Sequence, residues 1–123
     1  MDSRSMDRRR LGMQAEDAVQ SLLSDRGCTI LARNFRAGNR GELDLVVTKK
    51  NRLIVVEVKS RREGDDYGGS IAAITRRKIM RMKRATAVFM TEKSIRGVDV
   101  CFLAACVTHD RQGRVIRIEF LPI

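Results

Sequence analysis

The sequence predicts a single α/β domain, in which a central mixed five-stranded sheet is flanked by helices in the order αβββαββ. Two stretches place apolar residues at helical spacing, and five shorter apolar stretches are separated by turn-forming residues. A chain of 123 residues, of which 43% are hydrophobic, is long enough to bury one core of its own. We expect residues 1–9 to form a flexible basic tail and residues 10–123 to form the domain.

The first predicted helix begins near Leu11 and ends at Gly27. Its apolar residues recur at helical spacing: Leu11, Ala15, Ala18, Val19, Leu22 and Leu23. At about 100° of rotation per residue, Glu16 lies at the edge of this apolar stripe, whereas Asp17 points to the opposite side. We therefore expect Glu16 to flank the buried face of the helix.

Three predicted strands follow the first helix: Cys28–Asn34, Glu42–Thr48 and Leu53–Lys59. The last two are rich in Val, Ile and Leu, and the residues between them, 49–52, predict a hairpin turn. Residues 61–69 are charged and rich in glycine, so we expect a loop after the third strand.

The second half of the domain is predicted to contain one helix and two strands. Thr75 is a suitable N-cap for a helix that extends to about Met90. The two strands, Val98–Thr108 and Val115–Leu121, are joined by a predicted turn at residues 110–113.

The composition favours a polyanionic partner and disfavours several classes of function. Lys and Arg number 25 against 15 Asp and Glu, and a net charge of +10 favours nucleic acid over an anionic membrane. With three cysteines and one histidine, we expect neither a zinc site nor histidine-based acid–base chemistry. The longest apolar run is far shorter than the roughly 20 residues of a membrane span, and we expect a cytoplasmic protein.

Charged residues stand out in the second and third predicted strands. Side chains alternate along a strand, so Glu57 and Lys59 share one face, as Glu42 and Asp44 do on the neighbouring strand. A two-residue turn at positions 50–51 would place Asp44 opposite Glu57, and Glu42 opposite Lys59. A divalent cation would offset the repulsion between two opposed carboxylates. The spacing thus indicates a metal site beside a lysine; a Glu42–Lys59 salt bridge is the structural alternative.

Segments from most of the chain share the motifs of one protein family. They are GMQAEDA at 12–18, NFR at 34–36, GELDL at 41–45, VEVKSR at 56–61, Lys78 with the helix after it, and RGVDV at 96–100. In these segments the chain resembles the YraN family of small bacterial proteins, a branch of the restriction-endonuclease-like, or PD-(D/E)xK, nuclease superfamily. The arrangement is also similar to that of archaeal Holliday-junction resolvases. Ala15 departs from the family, which often has Gly there, and a helix accepts Ala.

The resemblance implies a nuclease site that depends on a divalent metal. Asp44 and Glu57 would hold Mg²⁺ or Mn²⁺, with the carbonyl of Val58 as a further ligand. Glu16 would complete the acidic cluster, directly or through water. Lys59 would orient or deprotonate the attacking water. Together these roles describe metal-dependent hydrolysis of phosphodiester bonds.

Several basic residues are candidates for the site or for nucleic-acid contacts. Lys78 lies in the apolar stripe of the second helix, where it is either a site residue or a lysine whose stem covers apolar surface. Arg61 and Arg62 follow the third strand. The second helix carries further cations, which form either a solvated face or a phosphate-contacting surface: Arg76, Arg77, Arg81, Lys83 and Arg84.

Three functions remain open at the level of sequence. The first is a metal-dependent endonuclease acting on DNA, with branched or junction DNA suggested by the resolvases. The second is a non-catalytic nucleic-acid-binding module that retains the nuclease fold. The third, a basic protein of ribosome or protein assembly, leaves Asp44, Glu57 and Lys59 unexplained. A homodimer is compatible with the resolvase resemblance, although the sequence identifies no dimer surface.

Overall fold

The computed structural model describes residues 3–65 and 74–123, with side chains from Asp7 onward. The elements in this part of the chain are α1 (Ser3–Asp25), β1 (Thr29–Arg36), a short 3-10 helix (Gly38–Arg40), β2 (Glu42–Lys49), β3 (Arg52–Arg62), α2 (Arg76–Glu92), β4 (Asp99–His109) and β5 (Val115–Pro122). Neither of these two α-helices is long and apolar enough to cross a membrane.

The five strands form one sheet in the order β1-β2-β3-β4-β5. Neighbouring strands are antiparallel except β3 and β4, which are parallel. A parallel pair needs a crossover connection, and the chain between β3 and β4 contains α2. The predicted fold class, a mixed five-stranded sheet with helices in the order αβββαββ, is confirmed.

The two helices cover opposite faces of the sheet. On one face, α1 contributes to a buried cluster with strand residues: Ala15, Val19, Leu23, Leu45, Val47, Val56, Ala105 and Val107. On the other face, α2 contributes to a second cluster: Leu43, Val46, Leu53, Val55, Met82, Ala85 and Phe89. Because side chains alternate along β3, Glu57 and Lys59 continue the row that faces α2.

The first helix begins earlier than the apolar pattern predicted. It starts at Ser3, not near Leu11, so residues 3–9 belong to the helix, whereas we expected a flexible tail. The pattern missed these turns because they carry no apolar stripe to bury against the sheet. Asp7, on these turns, lies 4.0 Å from Arg62 at the end of β3.

The third strand extends further than predicted. It pairs with β4 as far as Arg62, which lies opposite His109. Arg61 and Arg62 are therefore strand residues, although the sequence placed them in a loop. The strand continues because β4 offers it a parallel partner over its whole length, which local sequence composition does not reveal.

Candidate functional site

The candidate site lies where the pairing between β2 and β3 ends. The predicted two-residue turn joins these strands, and the predicted register is confirmed over five pairs, the last being Leu45 opposite Val56. Asp44 and Glu57 occupy the next position on each strand, just beyond this ladder. The hairpin therefore brings the two carboxylates together at the place where backbone pairing stops.

Glu42 does not pair with Lys59, contrary to the register that the sequence predicted. Glu42 lies opposite Arg36 of β1 instead, and its Oε1 is 3.4 Å from the Arg36 Nε. The pairing of β2 with β3 ends at Leu45, before it reaches Glu42, whereas the pairing of β2 with β1 on its other edge extends to Glu42. A Glu42–Lys59 salt bridge, the structural alternative to a metal site, is therefore wrong.

The Asp44 carboxylate is hydrogen-bonded to the main chain of β3 just beyond the end of the β2–β3 pairing. Its Oδ2 accepts a hydrogen bond of 2.8 Å from the main-chain N–H of Val58. Burial and the charges of Glu57 and Glu16 raise the pKa of Asp44, the Val58 hydrogen bond and the charge of Lys78 oppose them, and the net result is a pKa of about 7. Asp44 is thus a carboxyl group held in a fixed orientation in a site where negative charge is already concentrated.

Glu57 is buried and lies between two lysines. Its Oε1 is 2.8 Å from the Nζ of Lys78 and 3.8 Å from the Nζ of Lys59. Lys78 reaches Glu57 from the first turn of α2, whose start is fixed because the Thr75 hydroxyl accepts the Lys78 N–H at 3.1 Å. The prediction that Lys78 faces the sheet is therefore confirmed, as is the N-cap.

The pKa values of the two lysines are shifted in opposite directions. Burial, together with the hydrogen bond and charge of Lys78, lowers the pKa of Lys59. Burial also acts to lower the pKa of Lys78, but its hydrogen bonds to Glu57 and Lys59 and the nearby carboxylates outweigh this effect and raise the pKa overall. Lys59 therefore holds its proton less tightly than Lys78 does.

Glu16 approaches this site from α1, across the sheet from α2. It is half-buried at the edge of the helix stripe, as predicted, while Asp17 is exposed and bonded to Arg33 at 2.6 Å. The charge of Glu16 raises the pKa of Asp44. The fold thus brings Glu16 within electrostatic reach of the carboxylate pair.

A cavity of about 460 Å³ opens beside the two carboxylates. Its lining combines residues of β2, β3 and α2: Gly41, Glu42, Asp44, Glu57, Thr75, Arg77, Lys78, Arg81 and Met82. Acidic groups lie on the sheet side, and cationic groups lie on the helix side. Such a cavity can hold a small anion beside a pair of carboxylates.

The donor set fits a hard divalent cation bound by few protein ligands. Mg²⁺ is commonly held by one or two carboxylates and keeps several waters. Asp44 and Glu57 supply two carboxylates, and Val58, on the strand between Glu57 and Lys59, is the predicted carbonyl ligand. Within the described residues, no three Asp, Glu, His or Cys side chains are grouped to hold an ion. Glu16 is therefore better suited to act through its negative charge, or through a bridging water, than to bind the metal directly.

The basic residues predicted to bind nucleic acid lie in different places. Arg77 and Arg81 line the cavity. Arg61 is half-buried near the hydroxyl of Thr108 at 3.4 Å, and Arg62 lies near Asp7. The other three cations of α2 are exposed and do not line this cavity: Arg76, Lys83 and Arg84.

Gly41 is a site residue to which sequence reasoning gave no role. It adopts φ of 114°, and a Cβ at this position would lie 3.3 Å from the main-chain oxygen of Arg81. This close approach holds the start of β2 against α2 and requires the absence of a side chain. The signal was present in the sequence as the glycine that opens the GELDL segment, next to the acidic residues.

Comparison with known proteins identifies one family. The model of the Uncharacterised protein family UPF0102 matches residues 15–118. A UPF0102 protein of Pelotomaculum thermopropionicum is 39% identical over 91% of this chain and 92% of its own length. A second, of Dictyoglomus turgidum, is 31% identical over 95% of this chain and 98% of its own length. The chain therefore belongs to the UPF0102 family, which is the YraN family that its motifs resemble.

Proposed function

We propose that the protein is a divalent-metal-dependent endonuclease that hydrolyses phosphodiester bonds of DNA. The observation that carries this proposal is the pairing of Asp44 and Glu57 beside two lysines, at the end of the β2–β3 ladder and facing a cavity. Placing like charges together in a partly buried position costs folding free energy, and such clusters are typical of functional sites. The motif resemblance to the PD-(D/E)xK nucleases assigns the same residues to catalysis.

The acidic residues form the metal-binding part of the proposed site. Asp44 and Glu57 hold Mg²⁺ or Mn²⁺ with the carbonyl of Val58, and Glu16 adds negative charge from α1. When bound, the cation supplies positive charge against the negative charge that develops on the scissile phosphate. The hydrogen bond from Val58 to Asp44 keeps one carboxylate oriented before substrate arrives.

The basic residues act on the phosphate and on water. Lys59 lies two residues after Glu57 on the same face of β3, so its amine can orient the attacking water. Lys78 fixes the Glu57 carboxylate at 2.8 Å and places a positive charge at the wall of the cavity. Arg77 and Arg81, on the same wall, attract the phosphate.

The net charge and the motifs support a choice of substrate. A net charge of +10 favours a nucleic acid. The resemblance to Holliday-junction resolvases favours branched or junction DNA within that class. A junction offers two equivalent strands, so a symmetric homodimer is part of this proposal.

A non-catalytic nucleic-acid-binding module is the second candidate function. The contact of 2.8 Å between Lys78 and Glu57 favours it, because an ammonium group balances the charge of this carboxylate without any metal. A module of this kind would use the same basic residues and would not need Asp44.

A cleavage assay with matched variants distinguishes the two functions. The protein is incubated with Mg²⁺ or Mn²⁺ and with linear duplex, single-stranded, flapped and four-way-junction DNA. Lys59→Ala removes a lysine from the site, and Lys83→Ala removes one from the exposed face of α2. We expect the native protein and Lys83→Ala to cut the same substrate, whereas Lys59→Ala and Asp44→Asn do not. If the native protein binds DNA but cuts none of these substrates, the non-catalytic module is the better description.

A further inference from the structure

A second concave surface lies next to the acidic cavity, between the 3-10 helix and α2. This groove has a volume of about 950 Å³ and is lined by Asn39, Arg40, Arg77, Met80, Arg81 and Arg84. Four of the six lining residues are arginines, and none is acidic. The groove therefore concentrates positive charge at one place on the surface.

The arginines of the groove are available for a ligand. All four are exposed, and none of them forms a salt bridge with another of the described residues. Guanidinium groups are well suited to bind phosphate through paired hydrogen bonds. Met80, which is 48% exposed, contributes apolar surface among them.

The backbone fixes the side of the groove that carries Arg40. The Ala37 N–H donates to the Gly41 carbonyl at 2.9 Å, and the Arg40 N–H donates to the Ala37 carbonyl at 3.1 Å. Gly41 then packs against the Arg81 backbone, where a Cβ would be only 3.3 Å from its oxygen. The two walls of the groove are thus in direct contact.

The groove leads into the acidic cavity. Arg77 and Arg81 line both, whereas Arg40 and Arg84 line only the groove. Along the α2 axis, Arg77 and Arg84 are about 10.5 Å apart, at 1.5 Å per residue. This length exceeds the size of one phosphate group, so the arginines can contact more than one phosphate of a strand.

We propose that this groove binds the phosphate backbone of one nucleic-acid strand, over at least two consecutive phosphates on one side of the bond at Asp44 and Glu57. The inference rests on the proposed function for the position of the cleaved bond. It divides the cations of α2 other than Lys78 into two classes. Arg77, Arg81 and Arg84 contact the strand together with Arg40, whereas Arg76 and Lys83 do not line the groove.

The salt dependence of DNA binding tests this division. A short fluorescein-labelled DNA, single-stranded and as a duplex, is titrated with protein in EDTA at several salt concentrations, with anisotropy as the readout. The groove variant is Arg40→Ala with Arg84→Ala; its control is Arg76→Ala with Lys83→Ala, which removes the same charge from exposed positions of α2. Both variants are checked for an unchanged thermal midpoint.

We expect the groove variant to bind about tenfold more weakly and to lower the slope of log K against log salt by about 1.4 to 1.8, from two lost phosphate contacts. The control should lower the slope by less than half of this amount. Equal slopes for the two variants would overturn the inference. It would also be overturned if the groove variant bound anionic phospholipid vesicles more weakly than the native protein does but bound DNA equally well. Groove-dependent binding without cleavage in Mg²⁺ or Mn²⁺ would uphold the groove and overturn the endonuclease.

Discussion

The two halves of the β2–β3 hairpin share one register but differ in chemistry. In the half next to the turn, the β3 side chains that face α2 are Leu53 and Val55, and both are buried in the core around Phe89. In the half beyond the last pair of the ladder, the next two positions on the same face are Glu57 and Lys59. We call these the apolar half and the polar half.

The comparison separates the residues that stabilise the hairpin from the charged residues of the candidate site. The apolar half has both backbone pairing with β2 and buried side chains. The polar half lacks that pairing, and the Asp44 side chain accepts a β3 backbone N–H in its place. Substitutions in the two halves should therefore have separable effects, on folding in one and on activity in the other.

Lys59→Ala should have the largest effect on the polar half. We expect the single-turnover cleavage rate to fall by about 10²- to 10⁴-fold, as is typical when a group that acts on the attacking water is removed. The thermal midpoint should change little, because Lys59 belongs to neither of the two buried apolar clusters. A loss of less than about tenfold would remove Lys59 from the proposed mechanism.

Leu53→Ala should have the converse effect on the apolar half. Leu53 is 1% exposed, and truncating such a residue typically costs about 2 to 5 kcal/mol of unfolding free energy. Urea denaturation measures this loss. The control is Leu31→Ala on β1, where the leucine is 39% exposed and its truncation should cost less than about 1 kcal/mol of unfolding free energy. If cleavage by the folded Leu53→Ala protein falls as far as that of Lys59→Ala, the two halves are not separable.

Gly41→Ala tests the contact that holds the polar half against α2. A non-glycine residue at φ of 114°, with its Cβ 3.3 Å from the Arg81 oxygen, should lower the unfolding free energy by about 1 to 3 kcal/mol. Gly12→Ala is the matched control: no atom lies within 4 Å of its Cβ, and Ala in a helix should stabilise by about 0.5 to 1 kcal/mol. Equal effects of the two substitutions would show that the approach of Gly41 to α2 is not restrictive.

Much of the hairpin and part of the candidate site could be predicted from the sequence. A two-residue turn fixes the register of a hairpin, and period-2 alternation fixes which side chains share a face. These rules placed Asp44 beside Glu57, and the helical period placed Glu16 at the edge of the buried face of α1 and Lys78 on the face of α2 toward the sheet. Each of these statements depends only on residues that are near in sequence or joined by one tight turn.

The remaining features depend on contacts between distant parts of the chain. Glu42 lies opposite Arg36 of β1 and not opposite Lys59, because the pairing of β2 with β3 ends at Leu45, which the hairpin alone does not reveal. Arg40 joins the arginines of α2 only because the 3-10 helix packs against a helix some forty residues later in the chain. Local patterns carry no information on such contacts.

Asp44→Asn should stabilise the protein in the absence of divalent metal, by about 1 to 2 kcal/mol at pH 8. The pKa of Asp44 is raised from 3.8 to about 7, so between these values the folded protein holds a proton that the unfolded chain has lost. The native protein therefore loses stability from about pH 4 to pH 7, whereas the Asn variant, which can still accept the Val58 N–H, does not. Urea denaturation at several pH values should show that the difference in unfolding free energy between the two proteins grows over this range.

As a control, Asp17→Asn removes an exposed salt bridge and should cost less than about 1 kcal/mol. An Asp44→Asn protein that is less stable than the native protein at pH 8 would contradict a destabilising negative charge on Asp44.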